Sequence, residues 1–152
     1  MDAIIGFRRA IPEDLNFLLE LRIASMHQHL VNAGIVMTEQ QHRMRVNEFY
    51  HQSQLILKNR HPIGLIKLAS LTESLHIRQF QILPKFQGLG IGSMVLDLVK
   101  KKALAVNLPI TLNVLLTNPA KQLYQRNGFV SEDYNEIECR RIWHKKTANK
   151  ND

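Results

Sequence analysis

Residues 87–92, Gln-Gly-Leu-Gly-Ile-Gly, limit what this chain can fold into more than any other stretch. The run before them, Leu75–Leu83, is β-rich and closes at Pro84, and the run after them, Ser93 to Val106, is apolar at helical spacing. Glycines at such a junction let the backbone turn through conformations that other residues avoid. The first N–H groups of a helix have no partner within it, and they lie at the positive end of its dipole. Strand, glycine turn and helix in that order form an anion-binding arrangement, suited to a phosphate or pyrophosphate.

Three phosphate-binding patterns can be compared with this turn. A Walker loop needs Gly-Lys-Ser/Thr after its spaced glycines, but Gly92 is followed by Ser93-Met94. A dinucleotide fingerprint needs G-x-G-x-x-G and an acidic residue about 20 positions on. Here Gly88, Gly90 and Gly92 alternate, and Ile110–Leu116 carries no Asp or Glu. The third pattern, Gln/Arg-x-x-Gly-x-Gly/Ala, is filled by Gln87, Gly90 and Gly92. Downstream, Asn118, Ala120, Leu123-Tyr124 and Gly128-Phe129 form a second run in the order Asn…Ala…Leu-Tyr…Gly-Phe. On these two signatures the chain resembles the GNAT acetyltransferase superfamily. The likeness extends from about Phe7 to Trp143 and is most specific over Gln79–Phe129. The second half is similar to the ribosomal-protein alanine acetyltransferases.

The resemblance implies an α+β fold, with a mixed, mostly antiparallel central sheet of about seven strands and helices on both faces. It also implies acetyl-CoA as cofactor, and N-acetyl transfer to a primary amine by direct attack in a ternary complex. Gln87, Gly88, Leu89, Gly90, Ile91, Gly92 and Ser93 are then expected around the pyrophosphate, with Asn118 nearby. The backbone of Ile82, flanked by Gln81 and Leu83, is expected along the pantetheine arm. Tyr124 matches the family tyrosine beside the coenzyme A sulfur, where a phenol can serve a leaving thiolate. On residue pattern alone it also reads as a buried tyrosine beside Leu123. Asn118-Pro119-Ala120 is one residue tighter than the usual spacing, and Asn118 also reads as a helix N-cap with Pro119 in the first helical position.

The base is less directly indicated. Asn113 stands where the alanine acetyltransferases have Glu, and an amide cannot take a proton. Glu73 and His76, at the start of the central strand, are the nearest candidates. Arg78, Gln79 and Gln81 are polar for a sheet centre, and with Asn113 they are expected to line the acceptor cleft. The acceptor is expected to be a small-molecule or peptide amine. A second reading makes the chain a non-catalytic acyl-CoA-binding regulatory module, or a basic nucleic-acid-associated protein.

Composition narrows these readings. The chain has 152 residues and 45% hydrophobic content, enough for one buried core. We expect one domain over residues 1–144, followed by a disordered basic tail over 145–152. No apolar run approaches the ~20 residues of a membrane span, and Arg8-Arg9 so near the start argues against a secretory signal. The single Cys139 excludes an internal disulfide and suits the cytoplasm. A net charge of +7 invites a nucleic-acid reading. However, no helix-turn-helix sequence, zinc-ligand spacing or stacked-aromatic motif accompanies it, so nucleic acid is disfavoured and no metal is expected. A homodimer is left open.

Periodicity predicts strands at Ile4–Arg9, Ser53–Lys58, Ile63–Ser70, Ser74–Leu83, Ile110–Leu116, Phe129–Asp133 and Ile137–Trp143. One helix opens at Pro12-Glu13-Asp14 and buries Leu15, Leu18, Leu19, Ile23, Met26 and Leu30. A capping box at Thr38–Gln41 opens a second, with Met44 and Phe49 inward. Gly90–Val106 is predicted to bury Ile91, Met94, Val95, Leu98 and Val99, and Pro119–Asn127 to end at Gly128.

Overall fold

The computed structural model describes residues 3–145, so the expected disorder beyond Lys145 lies outside the described residues. In chain order the elements are β1 (Ile5–Arg9), α1 (Leu15–Asn32), α2 (Glu39–Asn47), β2 (Ser53–Lys58), β3 (His61–Ser70), β4 (Leu75–Ile82), α3 (Ile91–Val106), β5 (Ile110–Leu115), α4 (Ala120–Arg126), β6 (Val130–Tyr134) and β7 (Glu138–Trp143). The strands form one sheet in the order β1-β2-β3-β4-β5-β7-β6, with β4 at its centre. Helices α3 and α4 cover one face around Ile56, Ile66, Val95, Val99 and Phe129. On the other face α1 and α2 pack over Leu55 and Leu65 through Leu18, Leu21 and Val46. The expected α+β architecture is therefore present, and among the described residues no helix is long and apolar enough to cross a membrane.

Local chemistry sets the turns. Thr38 Oγ1 accepts from Gln41 N while Gln41 Oε1 accepts from Thr38 N, which completes the capping box that starts α2. Asn59 and Arg60 both have positive φ, giving the tight two-residue hairpin favoured by strand twist. The β2–β3 turn is therefore shorter than the four residues, 59–62, left between the two predicted strands, and His61 and Pro62 belong to β3.

Three predicted helix faces need correction. On α1, Leu21, Arg22 and Ser25 are buried with Leu18, Leu19 and Leu30, while Ile23 and Met26 are half-buried. On α2, His42 and Val46 make the buried i, i+4 pair, leaving Met44 exposed. Phe49 lies beyond the end of α2 in a left-handed conformation, so helical periodicity does not govern it. On α3, Leu96 and Ala103 join Ile91, Val95 and Val99, while Met94 is exposed and Leu98 half-buried. The sheet beneath α3 takes Leu96 rather than Met94, so the buried stripe is rotated from the predicted one.

A bulge in β4 resolves its polar pattern. Lys67 pairs with Gln79 but the next residue, Leu68, pairs with Ile77, which leaves Arg78 as the extra residue. One extra residue reverses the alternation of faces. Leu75 and Ile77 join the α3 side, as do Phe80 and Ile82 beyond the bulge, while the Gln79 side chain reaches Arg45 on α2. Without the bulge, Gln79 and Gln81 would point into the apolar core.

Lys67 is fully buried beneath α2. Its Nζ donates to the carbonyl oxygens of Arg45, Val46 and Glu48 at 3.1, 2.8 and 2.6 Å, satisfying the end of that helix. Burial pushes its pKa down from 10.5 to about 8. Below pH 8 both folded and unfolded chains hold this proton. Between 8 and 10.5 the unfolded chain holds more of it, so stability on this account rises with pH. Lys67→Met should destabilise the protein by about 2–4 kcal/mol in urea unfolding at pH 7, because the carbonyls of Val46 and Glu48 lose their side-chain donor and Arg45 O keeps only Gln79 Nε2. The wild type should gain stability relative to the variant as pH rises above 8; a constant difference would contradict this titration.

Candidate active site

Strands β4 and β5 are parallel, but they pair only through Leu75, Ile77 and the residue between, opposite Ile110–Leu112. Beyond that point β5 stays with β7 and β4 stays with β3, so the two strands separate in the middle of the sheet. The turn that leaves β4 enters this opening. Pro84–Phe86 form one 3-10 turn, and Gln87 N donates to Pro84 O. Gly88 and Gly90 then take φ of 73° and 82°, values that disfavour a side chain. A Cβ on either would meet nothing within 4 Å, so both face open space. Among the described residues the N–H groups of Gly88 through Ser93 find no acceptor, and helical bonding resumes with Met94 N to Gly90 O. This row of free donors at the start of a sixteen-residue helix is an anion cradle.

Gly92 has a different task. A Cβ there would lie 2.7 Å from Leu123 Cδ2, so its absence lets the start of α3 close onto α4. That contact brings Tyr124 towards the opening. Tyr124 is buried, edge-on to Phe80 and Phe129 at centroid distances of 6.5 and 5.7 Å. Burial alone pushes the phenol pKa up, well beyond its usual range. The group therefore stays neutral, with a hydroxyl that is able to donate a hydrogen bond.

Two cavities meet here. One, of about 330 Å³, runs from the glycine cradle past Gln81 and Ile82 to Tyr124, roofed by Ser25 and His29 of α1. The other, of about 250 Å³, lies on the α1–α2 side and takes in Arg22, Arg45, Arg78, Asn113 and Glu138. Met26, Phe80, Gln81, Asn118 and Tyr124 line both.

The sequence-predicted residues are distributed as follows. The cradle residues and Gln81, Ile82, Asn118 and Tyr124 gather around the first cavity, although Gln87 turns its side-chain amide onto Ile82 O at 2.8 Å and ties the loop to the strand end. Leu89 is exposed, Ile91 is buried in the core, and Leu83 packs on the α1–α2 side. Asn118 Oδ1 accepts from Ala120 N, but α4 starts at Ala120, so Pro119 occupies the cap position and Asn118 precedes it by one residue. Arg78, Gln79 and Asn113 line the second cavity. Glu73 and His76 line neither. Glu73 is exposed in the β3–β4 turn, and His76 Nδ1 lies 2.7 Å from Thr111 Oγ1 where β4 and β5 are still paired. Burial and the charges of Arg78 and Arg140 lower the His76 pKa.

Sequence reasoning did not pick out Arg22, Arg45 or Glu138. No local motif marks them; only packing brings α1, α2 and β7 to this opening. Glu138 comes in through the pairing of Leu115 with it across β5–β7, and among the described residues it is the one carboxylate lining the second cavity.

The split sheet, the glycine loop at a helix start and the buried tyrosine lie together around one opening. The chain belongs to the GNAT family: the pattern of the Acetyltransferase (GNAT) domain matches residues 51–131. Its fold is similar to that of the PaiA N-acetyltransferase of Thermoplasma acidophilum, solved in complex with coenzyme A (TM-score 0.75, 18% identity, covering 93% of this chain and 99% of that one). It is also similar to a GNAT-family acetyltransferase of Bacillus anthracis (0.70, 16%, 94% and 96%) and an acetyltransferase of Thermus thermophilus (0.70, 18%, 91% and 96%). No curated protein sequence matches the chain.

The cradle makes a direct prediction. Gly90→Ala puts a side chain into a left-handed residue at the helix start and into the open space beside the free N–H groups. Acetyl-CoA affinity by calorimetry should fall at least tenfold, or ~1.4 kcal/mol, with circular dichroism unchanged. Unaltered affinity would place the binding loop elsewhere.

Proposed function

We propose that the protein is an N-acetyltransferase that moves acetyl from acetyl-CoA to a primary amine of a small molecule or peptide, by direct attack in a ternary complex. The observation that carries this reading is the row of N–H groups from Gly88 to Ser93 without acceptors, opening onto a cavity that ends at Tyr124. These donors, the open space at Gly88 and Gly90, and the unpaired edge of β4 fit a pyrophosphate followed by a pantetheine arm. Acetyl-CoA supplies the thioester carbonyl that the amine attacks.

The chain's own residues then have separable roles. Gly88–Ser93 hold the phosphates, with Asn118 beside the path. The β4 backbone near Ile82 aligns the arm and offers an N–H to the carbonyl oxygen as charge develops there. Tyr124, kept neutral by burial, donates to the departing sulfur. On the acceptor side the amine must lose a proton as it attacks. Glu138 is the carboxylate that faces this cavity, so we assign proton acceptance there, directly or through one water. Glu73, in the β3–β4 turn, and His76, at the start of β4, line neither cavity, so the role is not assigned to them. Asn113, an amide, helps to hold the acceptor.

Release of free coenzyme A thiol over a panel of amines tests the activity. Tyr124→Phe should lower kcat on the order of 10²-fold with acetyl-CoA affinity nearly unchanged, and Glu138→Gln should cost a similar factor and flatten the rise of kcat/KM with pH. Parallel loss of stability and activity in Tyr124→Phe would reduce Tyr124 to a packing residue. A wild-type pH profile in Glu138→Gln would remove Glu138 from the mechanism.

A further inference from the structure

The acceptor-side cavity has an unusual charge balance. Arg22 enters it from α1, Arg45 from the last turn of α2, and Arg78 from the bulge in β4, while Glu138 is its only acid among the described residues. Among the described residues, Arg22 and Arg78 form no ion pair, and Arg45 pairs only with Glu48, at 3.3 Å on the exposed rim. Arg22 is 3% exposed, and its Nε points at His42 Nδ1, 3.2 Å away, while Nη2 faces the Met37 sulfur. Burying a guanidinium against a neutral ring and a thioether costs folding free energy unless an anion joins it. Arg78 lies over the Phe49 ring at 3.7 Å, with its Nε donating to Gln52 Oε1. Stacking and one hydrogen bond fix the plane of that guanidinium and leave its terminal nitrogens free.

Resting on the acetyltransferase reading, we infer that the acceptor is a small primary amine that also carries a carboxylate or phosphate, and that Arg22, Arg45 and Arg78 hold this anionic group in the α1–α2-side cavity. Arginine forks recognise carboxylate and phosphate oxygens in pairs. Glu138 lines the cavity from β7, which β5 separates from Arg78 on β4, so its carboxylate and the arginines enter from different elements. An ammonium directed to Glu138 and an acid group directed to the arginines would orient a zwitterion with its nitrogen towards Tyr124. Burial, with the charge of Arg45 added to it, lowers the Arg22 pKa to about 10 despite Glu48, which is consistent with a site lacking its anion. The volume, about 250 Å³, suits a molecule the size of an amino acid or an aminoalkyl phosphate rather than a folded protein.

Matched pairs of acceptors test the inference on the full chain. Phosphoethanolamine is compared with ethanolamine, and an amino acid with its amide, by thiol release. The acid-bearing member of at least one pair should have a kcat/KM at least tenfold higher, and the pair with the larger ratio identifies the anionic group. Arg78→Gln, at a half-buried position, should raise KM for that acceptor at least tenfold while kcat stays within about threefold, and Arg78→Lys should recover part of the loss. Arg22→Gln is the same test at a buried position, where folding is checked first. Equal turnover within both pairs, or an unchanged KM in Arg78→Gln, would overturn the inference and leave the transferase reading standing. If acetyl-CoA binds but no amine of either kind is acetylated, the transferase reading fails and this inference fails with it.

Discussion

The short parallel ladder between β4 and β5 is the constraint on which the rest of the molecule depends. It joins Leu75–Ile77 to Ile110–Leu112 and stops there. A longer ladder would close the sheet and leave no path between the glycine cradle and the α1–α2 face. A shorter one would cut the sheet in two, because only this pairing joins β1–β4 to β5–β7. The opening exposes strand edges whose N–H and C=O groups lack ladder partners, a cost that folded proteins accept where a ligand supplies the bonds. Gly92 and Leu123 hold the start of α3 close against α4 beside this gap.

The second dependency is electrostatic. The bulge at Arg78 reverses the facing of β4 and sends Gln79 to α2 while Phe80 and Ile82 enter the apolar core. The same bulge places a guanidinium among Arg22, Arg45 and Lys67. Lys67 is satisfied internally, because three carbonyls at the end of α2 take its donors. Among the described residues, the Arg22 side chain has hydrogen-bond partners only in a neutral imidazole and a thioether. One buried cation therefore holds the fold together, and the other is poised to meet a ligand.

Much of this is legible in the sequence, for specific reasons. The glycine loop encodes its own conformation, since positive φ at Gly88 and Gly90 needs no tertiary context. Thr38 and Gln41 define a helix start by themselves, and Asn135 marks the last hairpin, accepting from Ile137 N and Glu138 N. The rotation of α3 is not legible, because Leu96 and Met94 are equally apolar and only the sheet beneath decides between them. Likewise Glu138 carries no local signature; it reaches the cavity through strand register with β5. Sequence proximity to β4 points to Glu73 and His76 as the base, but proximity does not reveal which end of the strand opens.

Amide hydrogen exchange with and without coenzyme A probes the central claim most directly, residue by residue. Free N–H groups at Gly88–Ser93 should exchange fast in the free protein and slow at least tenfold on binding, together with amides at the end of β4. Protection confined to other segments, with residues 88–93 still exchanging freely, would contradict the account.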